Sequence, residues 1–403
     1  MAKILWHSGA PWAPTGYGQQ TALFAPRLRD LGHDVALSAW WGLNGSALEF
    51  EGMPVYPADQ KWGNVVLPGY AKRHQADLVI ALMDAWVLAP EVMRDLPLAV
   101  WTPVDHQPCP PKVADFFRKS GARPIAMSRF GEQMLQDEGL DPLYVPHGVD
   151  AEVFKPRFRD EIRETTGTSE RFIVGVVANN SGGTSPTSGP PRKAFPQSLM
   201  AFSAFHRRHP DALLYLHTEL TGRPGLEHGL NIGRLLERFE VPPEAVKFTD
   251  QLSMEIGIEP SAMANLYNSF DVLLNPSYGE GFGIPIVEAQ ACGTPVIVTD
   301  WTAMPELCGA GWKIDGEPWY DPQHEAFFKC PSVGLILDAL EAAYENAAGL
   351  RDQARDFAVQ YDADLVTETY WKPALEALSR PREVPPLPNR EMRRARKKAG
   401  AAA

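Results

Sequence analysis

Glu280 and Glu288 stand eight positions apart in a segment, residues 272–299, that reads VLLNPSYGEGFGIPIVEAQACGTPVIVT. At that spacing both carboxylates can face one cleft, the first from a loop and the second from about one turn inside a helix. Gly279, Gly281 and Gly283 surround the first glutamate, and Pro285 sits where a first helical turn tolerates a missing N–H. A glycine-rich strand-to-helix turn lets backbone approach a ligand closely, and the free N–H groups at the helix start favour a phosphate. The ligand read from this turn is anionic, a nucleotide. A carboxylate beside a diphosphate is electrostatically awkward, so the pair is better explained as acceptors for hydroxyl groups, one on a ribose and one on a second polyol. Together these features describe a nucleotide sugar.

Positioning such a turn requires buried strands on either side of it. Val272–Asn275 and residues 295–299 supply them, and residues 172–178, Ala212–His217 and Val246–Phe248 repeat the pattern, with helical spacing at 196–206 and 263–269. The first part of the chain reads the same way. A strand at 3–7 runs into a Gly/Pro-rich loop at 8–18, helical spacing follows over 19–31 (Leu23, Phe24, Leu28, Leu31), and Gly32 is placed to end it. Strands at 35–40, 78–82, 98–102, 124–127 and 143–146 are short and continuously apolar, as in a parallel sheet buried on both faces. Charge and threonines interrupt the pattern at 154–169. The expected architecture is α/β, with two Rossmann-like doubly wound domains facing each other across a cleft. The expected boundaries are an N-terminal domain at 1–165, a C-terminal domain at 166–356, a helix at 357–380 returning to the first domain, and a Pro-rich linker with a basic tail at 381–403.

Composition narrows the function classes. With 403 residues, 44% hydrophobic and 22% charged, the chain suits two globular domains and is neither a small stapled domain nor a disordered tail protein. The formal charge of −12 is uneven: six basic residues and one acid between Arg390 and Lys398 give +5, leaving −17 over the rest. Such a body is not a nucleic-acid clamp working by charge. The tail reads as a disordered solubilising segment, with a tether to nucleic acid or an anionic surface as its functional alternative. Cys109, Cys292, Cys308 and Cys330 form no CxxC pair, which fits a reducing compartment. With no secretory signal pattern and no apolar run of roughly 20 residues, a cytoplasmic location without a transmembrane segment is expected.

The glutamate segment resembles the nucleotide-sugar motif of family 4 (GT4-like) retaining glycosyltransferases of the two-Rossmann-domain GT-B fold, in which two glutamates flank seven residues and the first precedes Gly-Phe-Gly. The match runs through Glu280-Gly281-Phe282-Gly283 to Glu288 and on to Val296, with Met304-Pro305-Glu306-Leu307 downstream. Thr15-Gly16-Tyr17-Gly18, residues 145–150 and Arg192-Lys193 extend it over about residues 1–380. The resemblance implies that Glu288 binds ribose hydroxyls and Glu280 the transferred sugar, with Gly281, Phe282 and Gly283 offering backbone contacts. It further implies that Lys193 neutralises the departing diphosphate, that Gly16 lines the cleft, and that His106 belongs to an active-site region of the first domain. The arginine the family usually carries after the first strand of the second domain is replaced by Asn179-Asn180, and Arg192 is the candidate substitute.

The activity so implied is metal-independent transfer of a hexose-like sugar, with donor on the second domain and acceptor on the first. A non-catalytic nucleotide-sugar-binding scaffold and a nucleotide-sugar epimerase of the same fold are the competing readings. A dinucleotide fingerprint at Gly16-Tyr17-Gly18 is discounted because the acidic residue, Asp34, precedes the second strand instead of ending it. Asp362-Ala363-Asp364 mimics a metal motif but opens a helical run, where Asp is a favoured cap. His147 and His217 read as structural. The base, the sugar and the acceptor stay open, the acceptor among protein, lipid, metabolite, polysaccharide and modified nucleic-acid base.

Overall fold

The computed structural model describes residues 1–59, 61–169, 171–182, 189–221 and 229–380; the linker and basic tail read from the sequence lie outside these. Eight strands form one sheet: β1 (Lys3–Gly9), β2 (Asp34–Trp41), β3 (Leu48–Phe50), β4 (Met53–Tyr56), β5 (Leu78–Leu82), β6 (Leu98–Thr102), β7 (Arg123–Ala126) and β8 (Leu143–Tyr144). Their order is β3-β4-β2-β1-β5-β6-β7-β8, parallel except for β3 against β4. Six more make a second, wholly parallel sheet: β9 (Phe172–Val177), β10 (Ala212–His217), β11 (Val246–Phe248), β12 (Val272–Asn275), β13 (Val296–Thr299) and β14 (Gly311–Ile314). They run β11-β10-β9-β12-β13-β14. β5 and β6 are buried at every position, which is why they carry apolar runs in place of alternation. In both sheets strand order reverses beside the first strand, between β1 and β5 and between β9 and β12, and loops at the C-terminal strand ends part there to leave a crevice. Two doubly wound α/β units thus match the fold class read from the sequence.

Some elements differ from that reading. The first helix is Gly16–Asp30, so Gly16-Tyr17-Gly18 is its first turn and not part of a loop; Thr15 Oγ1 accepts from the Gly18 N–H at 3.0 Å and caps it. The interruption at 154–169 contains a helix, Arg159–Thr166. Its inward contact is made by a guanidinium: buried Arg163 donates to the Ser269 carbonyl and pairs with Asp271, so no apolar period marks it. A two-stranded antiparallel ribbon, β15 (Gly316–Asp321) and β16 (Ala326–Pro331), was not expected. It leaves the second sheet and reaches the first domain, where Gln107 and Phe327 exchange backbone hydrogen bonds of 3.1 and 2.9 Å.

The C-terminal helices end against the first sheet. Trp371 is fully buried beside Trp6, Trp101 and Phe24, with ring centroids 5.5, 4.9 and 5.9 Å away. Asp362 caps the helix Ala363–Val366, accepting from the N–H groups of Asp364 and Leu365, and also accepts from the Ala151 N–H at 3.2 Å.

Candidate active site

The glutamate loop leaves β12 at Asn275 and enters the helix Ile284–Ala291, which begins at Gly283 with φ +116°, a conformation that strains any side chain. Gly279 and Gly281 are required for another reason. A Cβ on Gly279 would stand 2.2 Å from the Asp105 carbonyl oxygen, and one on Gly281 2.2 Å from Pro103 Cβ. Both admit the loop that follows β6, so the close approach here is between domains, whereas the sequence reading gave it to a ligand. Gly16 meets the same helix from the opposite side, its Cβ position 3.2 Å from Ile284 Cδ1.

Arg192 and Lys193 form a turn ahead of the helix Phe195–His206, and Ala194 takes a left-handed φ of +54°. The turn aims both cations inward. Lys193 Nζ pairs with Glu280 Oε1, and Arg192 donates to Glu280 Oε2 at 3.3 Å and to the Gly279 carbonyl at 3.1 Å. Burial opposes ionisation of Glu280, but Lys193 and then Arg192 outweigh it, and the carboxyl titrates below its ordinary value. Burial is also the largest influence on Lys193, holding the ammonium below its usual range despite Glu280. Arg192 is raised, because Glu280, Asp105 and Asp84 outweigh its burial. The two cations stand at the mouth of a helix N-terminus, a setting for an anion, with Glu280, Asp105 and Asp84 as the carboxylates that face them. Asn180, at the place of the missing arginine, is buried and donates to the carbonyls of Glu219 and Leu230, which ties loops together.

Glu288 lies one turn into the helix, 6% exposed, and accepts from the Tyr267 hydroxyl at 2.7 Å. Burial pushes its carboxyl up to about 7, against the opposing pull of that hydrogen bond. Phe282 is a packing residue as a side chain, buried edge-on against His147 and Tyr361 at 5.2 and 5.7 Å. His147 Nδ1 lies 3.0 Å from Gln20 Oε1 and His217 Nδ1 2.9 Å from Thr249 Oγ1, as structural histidines do.

His106 is 1% exposed, and both ring nitrogens face carboxylates: Nδ1 lies 2.6 Å from Asp105 Oδ1 and Nε2 3.2 Å from Asp321 Oδ2. Its ring stacks on Phe328 at 3.7 Å and His324 at 4.7 Å. The structure therefore brings His106 beside the glutamate loop as a wall held by the β15–β16 ribbon. His106, Asp321 and His324 each offer one ligand atom, all within 4.8 Å, a donor set suited to a divalent transition metal and also bonded within itself, His324 Nδ1 lying 2.7 Å from Asp321 Oδ2. Sequence reasoning missed Tyr267, Asp84, Asp105, Asp321 and His324; of these only Asp105, next to His106, carried a local signal. Asp84 is raised to about 6 by burial and then by Asp105, and its Oδ2 lies 3.5 Å from the Tyr17 hydroxyl.

Residues 190–327 match the family model described as glycosyl transferases group 1, a stretch that holds Arg192, Lys193, Glu280 and Glu288. A D-inositol 3-phosphate glycosyltransferase of Mycolicibacterium smegmatis is 27% identical over 233 residues, covering 55% of this chain and 45% of that protein. One from Rhodococcus erythropolis is 30% identical over 251 residues, covering 59% and 50%. The chain spans about half the length of these curated relatives. Among solved structures, sucrose-phosphate synthase from Thermosynechococcus elongatus is similar with a TM-score of 0.67 and 17% identity over 100% of both chains. HepE of Anabaena in complex with UDP-glucose gives 0.65 at 17% identity over 93% of this chain and 100% of that one, a likeness of fold. The glutamate motif thus falls inside a domain similar to glycosyl transferases group 1, and the paired Rossmann-like sheets share the GT-B fold of these solved structures.

Proposed function

We propose that the protein transfers a hexose-like sugar from a nucleoside-diphosphate sugar to an acceptor with retention of configuration. The reading is carried by the pairing of Lys193 and Arg192 with Glu280 at the mouth of the helix Ile284–Ala291, with Glu288 one turn behind. On donor entry the diphosphate replaces Glu280 as the partner of the two cations, and Glu280 turns to the sugar hydroxyls. Glu288 accepts from the ribose, and the backbone N–H groups of the helix start face phosphate. The bond from the anomeric carbon to the phosphate oxygen breaks while the acceptor oxygen bonds to the same face, and the departing phosphate takes the acceptor proton. Lys193 and Arg192 stabilise the charge that develops on the leaving group, so that charge and positioning supply most of the rate. His106 contributes the wall of the sugar subsite.

In this reading the cations do the work a metal would do on the diphosphate. Four free cysteines, and the absence among described residues of a helix long and apolar enough to cross a membrane, support a cytoplasmic location. Because a HepE structure of the same fold holds UDP-glucose, that donor is the first to try, followed by GDP-, ADP- and dTDP-sugars. Nucleoside-diphosphate release and the anomeric configuration of the product test the reading. Lys193→Ala should lose about 10²–10³ in kcat. If wild type and Glu280→Gln release nucleoside diphosphate at the same background rate with every donor, the protein is no transferase. Sugar interconversion without an acceptor would make it an epimerase.

A further inference from the structure

His106, Asp321 and His324 come together from two domains. His106 lies in the loop after β6, Asp321 ends β15, and His324 sits in the turn between β15 and β16. Gln107 and Phe327 exchange backbone hydrogen bonds beside them, so the ribbon and the loop are held in register where the three side chains meet. Their ligand atoms all lie within 4.8 Å of one another.

Asp321 is buried, its side chain 2% exposed, and among the described residues its ion-pair partners are the two imidazoles. The cations of the donor loops are engaged elsewhere. Arg192 and Lys193 pair with Glu280, and Lys112 faces the Trp86 ring at 6.0 Å. A carboxylate so buried needs a positive partner. His106 sharpens the demand, because a neutral imidazole carries one N–H and this ring has a carboxylate at each nitrogen. Asp105 Oδ1 lies 2.6 Å from Nδ1 and Asp321 Oδ2 3.2 Å from Nε2. The shorter contact takes the N–H, which turns the Nε2 lone pair toward the Asp321 oxygen. Two electron pairs facing each other at that distance call for a positive centre between them.

The surroundings are those of a metal site. A histidine that ligates through one nitrogen gives its other N–H to a carboxylate or carbonyl, which Asp105 supplies. A ligating carboxylate is itself held in place: Asp321 Oδ1 accepts from the Gln323 N–H at 2.9 Å, so Oδ2 alone is presented to both imidazoles. Ligands bound to one ion at about 2.0–2.2 Å stand about 3.3 Å from each other. Oδ2 is 3.2 Å from His106 Nε2 and 2.7 Å from His324 Nδ1, so only the second contact has to open. Phe328 closes the apolar side, 3.7 Å from the His106 ring, and the His324 side chain, 19% exposed, is the way in from solvent. Two imidazole nitrogens, one carboxylate oxygen and a fourth position for water suit zinc. We infer that the chain binds one zinc ion through His106 Nε2, Asp321 Oδ2 and His324 Nδ1, and that the ion fastens the ribbon of the second domain to the first. Its role is that of a clasp. The diphosphate stays with Lys193 and Arg192, and the site stands whether or not the protein transfers a sugar.

The full-length protein is stripped with EDTA, dialysed and titrated calorimetrically with zinc chloride. One zinc should bind per chain and raise the melting temperature. X-ray absorption at the zinc edge should show nitrogen and oxygen neighbours at about 2.0–2.2 Å and no sulfur at about 2.3 Å. His324→Gln, at a ring that is partly exposed, and Asp321→Asn should each weaken zinc at least about tenfold and lose the thermal shift. Asp105→Asn keeps all three ligands and should weaken zinc about 10–100-fold. The affinity of the wild type for UDP should be the same with and without zinc. Failure of the wild type to bind zinc, sulfur among the zinc neighbours, or an affinity untouched in both His324→Gln and Asp321→Asn overturns the inference and leaves a proton between the carboxylates. A UDP affinity that rises with zinc moves the ion to the diphosphate and overturns the clasp.

Discussion

Glu288 carries the clearest pH dependence at the residue scale. An unfolded glutamate titrates near 4.5 and this one, buried, near 7. Between those values the folded chain holds a proton that the unfolded chain has lost, so this group's contribution to stability falls as pH rises from 4.5 to 7 and is level above. Glu288→Gln should therefore melt higher than wild type at pH 8, with the difference closing toward pH 4.5, and should bind nucleotide more weakly. Melting curves that stay parallel across that range would show Glu288 to be solvated. Glu280→Gln gives the opposite result on the nucleotide: with Lys193 and Arg192 released, UDP should bind at least as tightly, while turnover of UDP-glucose falls. The loop and helix that carry Glu280 and Glu288 were legible because the glycines, the proline and the spacing repeat a known pattern, whereas Lys193 was singled out through the family resemblance alone. Tyr267 and Asp321 were not: they reach their partners across 21 and 215 positions, and no local period encodes such a contact.

At the scale of elements, the loop after β6 and the loop after β12 fit only because Gly279 and Gly281 lack side chains. Gly281→Ala forces Cβ onto Pro103 and should destabilise by about 1–3 kcal/mol and lower donor turnover. Gly69→Ala, in the helix Leu67–His74 with nothing within 4 Å of the added carbon, should be neutral or stabilising by up to about 1 kcal/mol. Chemical denaturation of the two variants measures both, and equal midpoints would refute the packing role of Gly281. The sequence announces that glycine is required there but not what fills the space, which is why a contact between domains was read as an approach to a ligand. The strands buried on both faces could be read from apolar runs. The β15–β16 ribbon could not, since GEPWYD and AFFKCP each mix aromatic, charged and proline residues and their partner surface lies on the other domain. Glu306 is a similar case: it lies in the downstream part of the motif, yet accepts from the N–H groups of Arg129 and Phe130 at the start of the first domain's helix Arg129–Asp137.

For the whole molecule, two sheets present their C-terminal strand ends to one crevice, with Lys193, Arg192 and the glutamate pair on the side of the second sheet and the loop of Pro103, Asp105 and His106 on the side of the first. In the proposed reading an acidic protein would bind an anionic donor through local charge: the −12 of the chain opposes the approach that Lys193, Arg192 and a helix N-terminus would reward at contact. The most direct test is calorimetric titration of the full-length protein with UDP, GDP and ADP in turn, with and without EDTA. One of them should bind at a single site per chain, unchanged by EDTA, and Lys193→Ala should weaken that binding at least about tenfold. If none binds, or if Lys193→Ala binds as tightly as wild type, the donor site is not where Lys193, Glu280 and Glu288 meet.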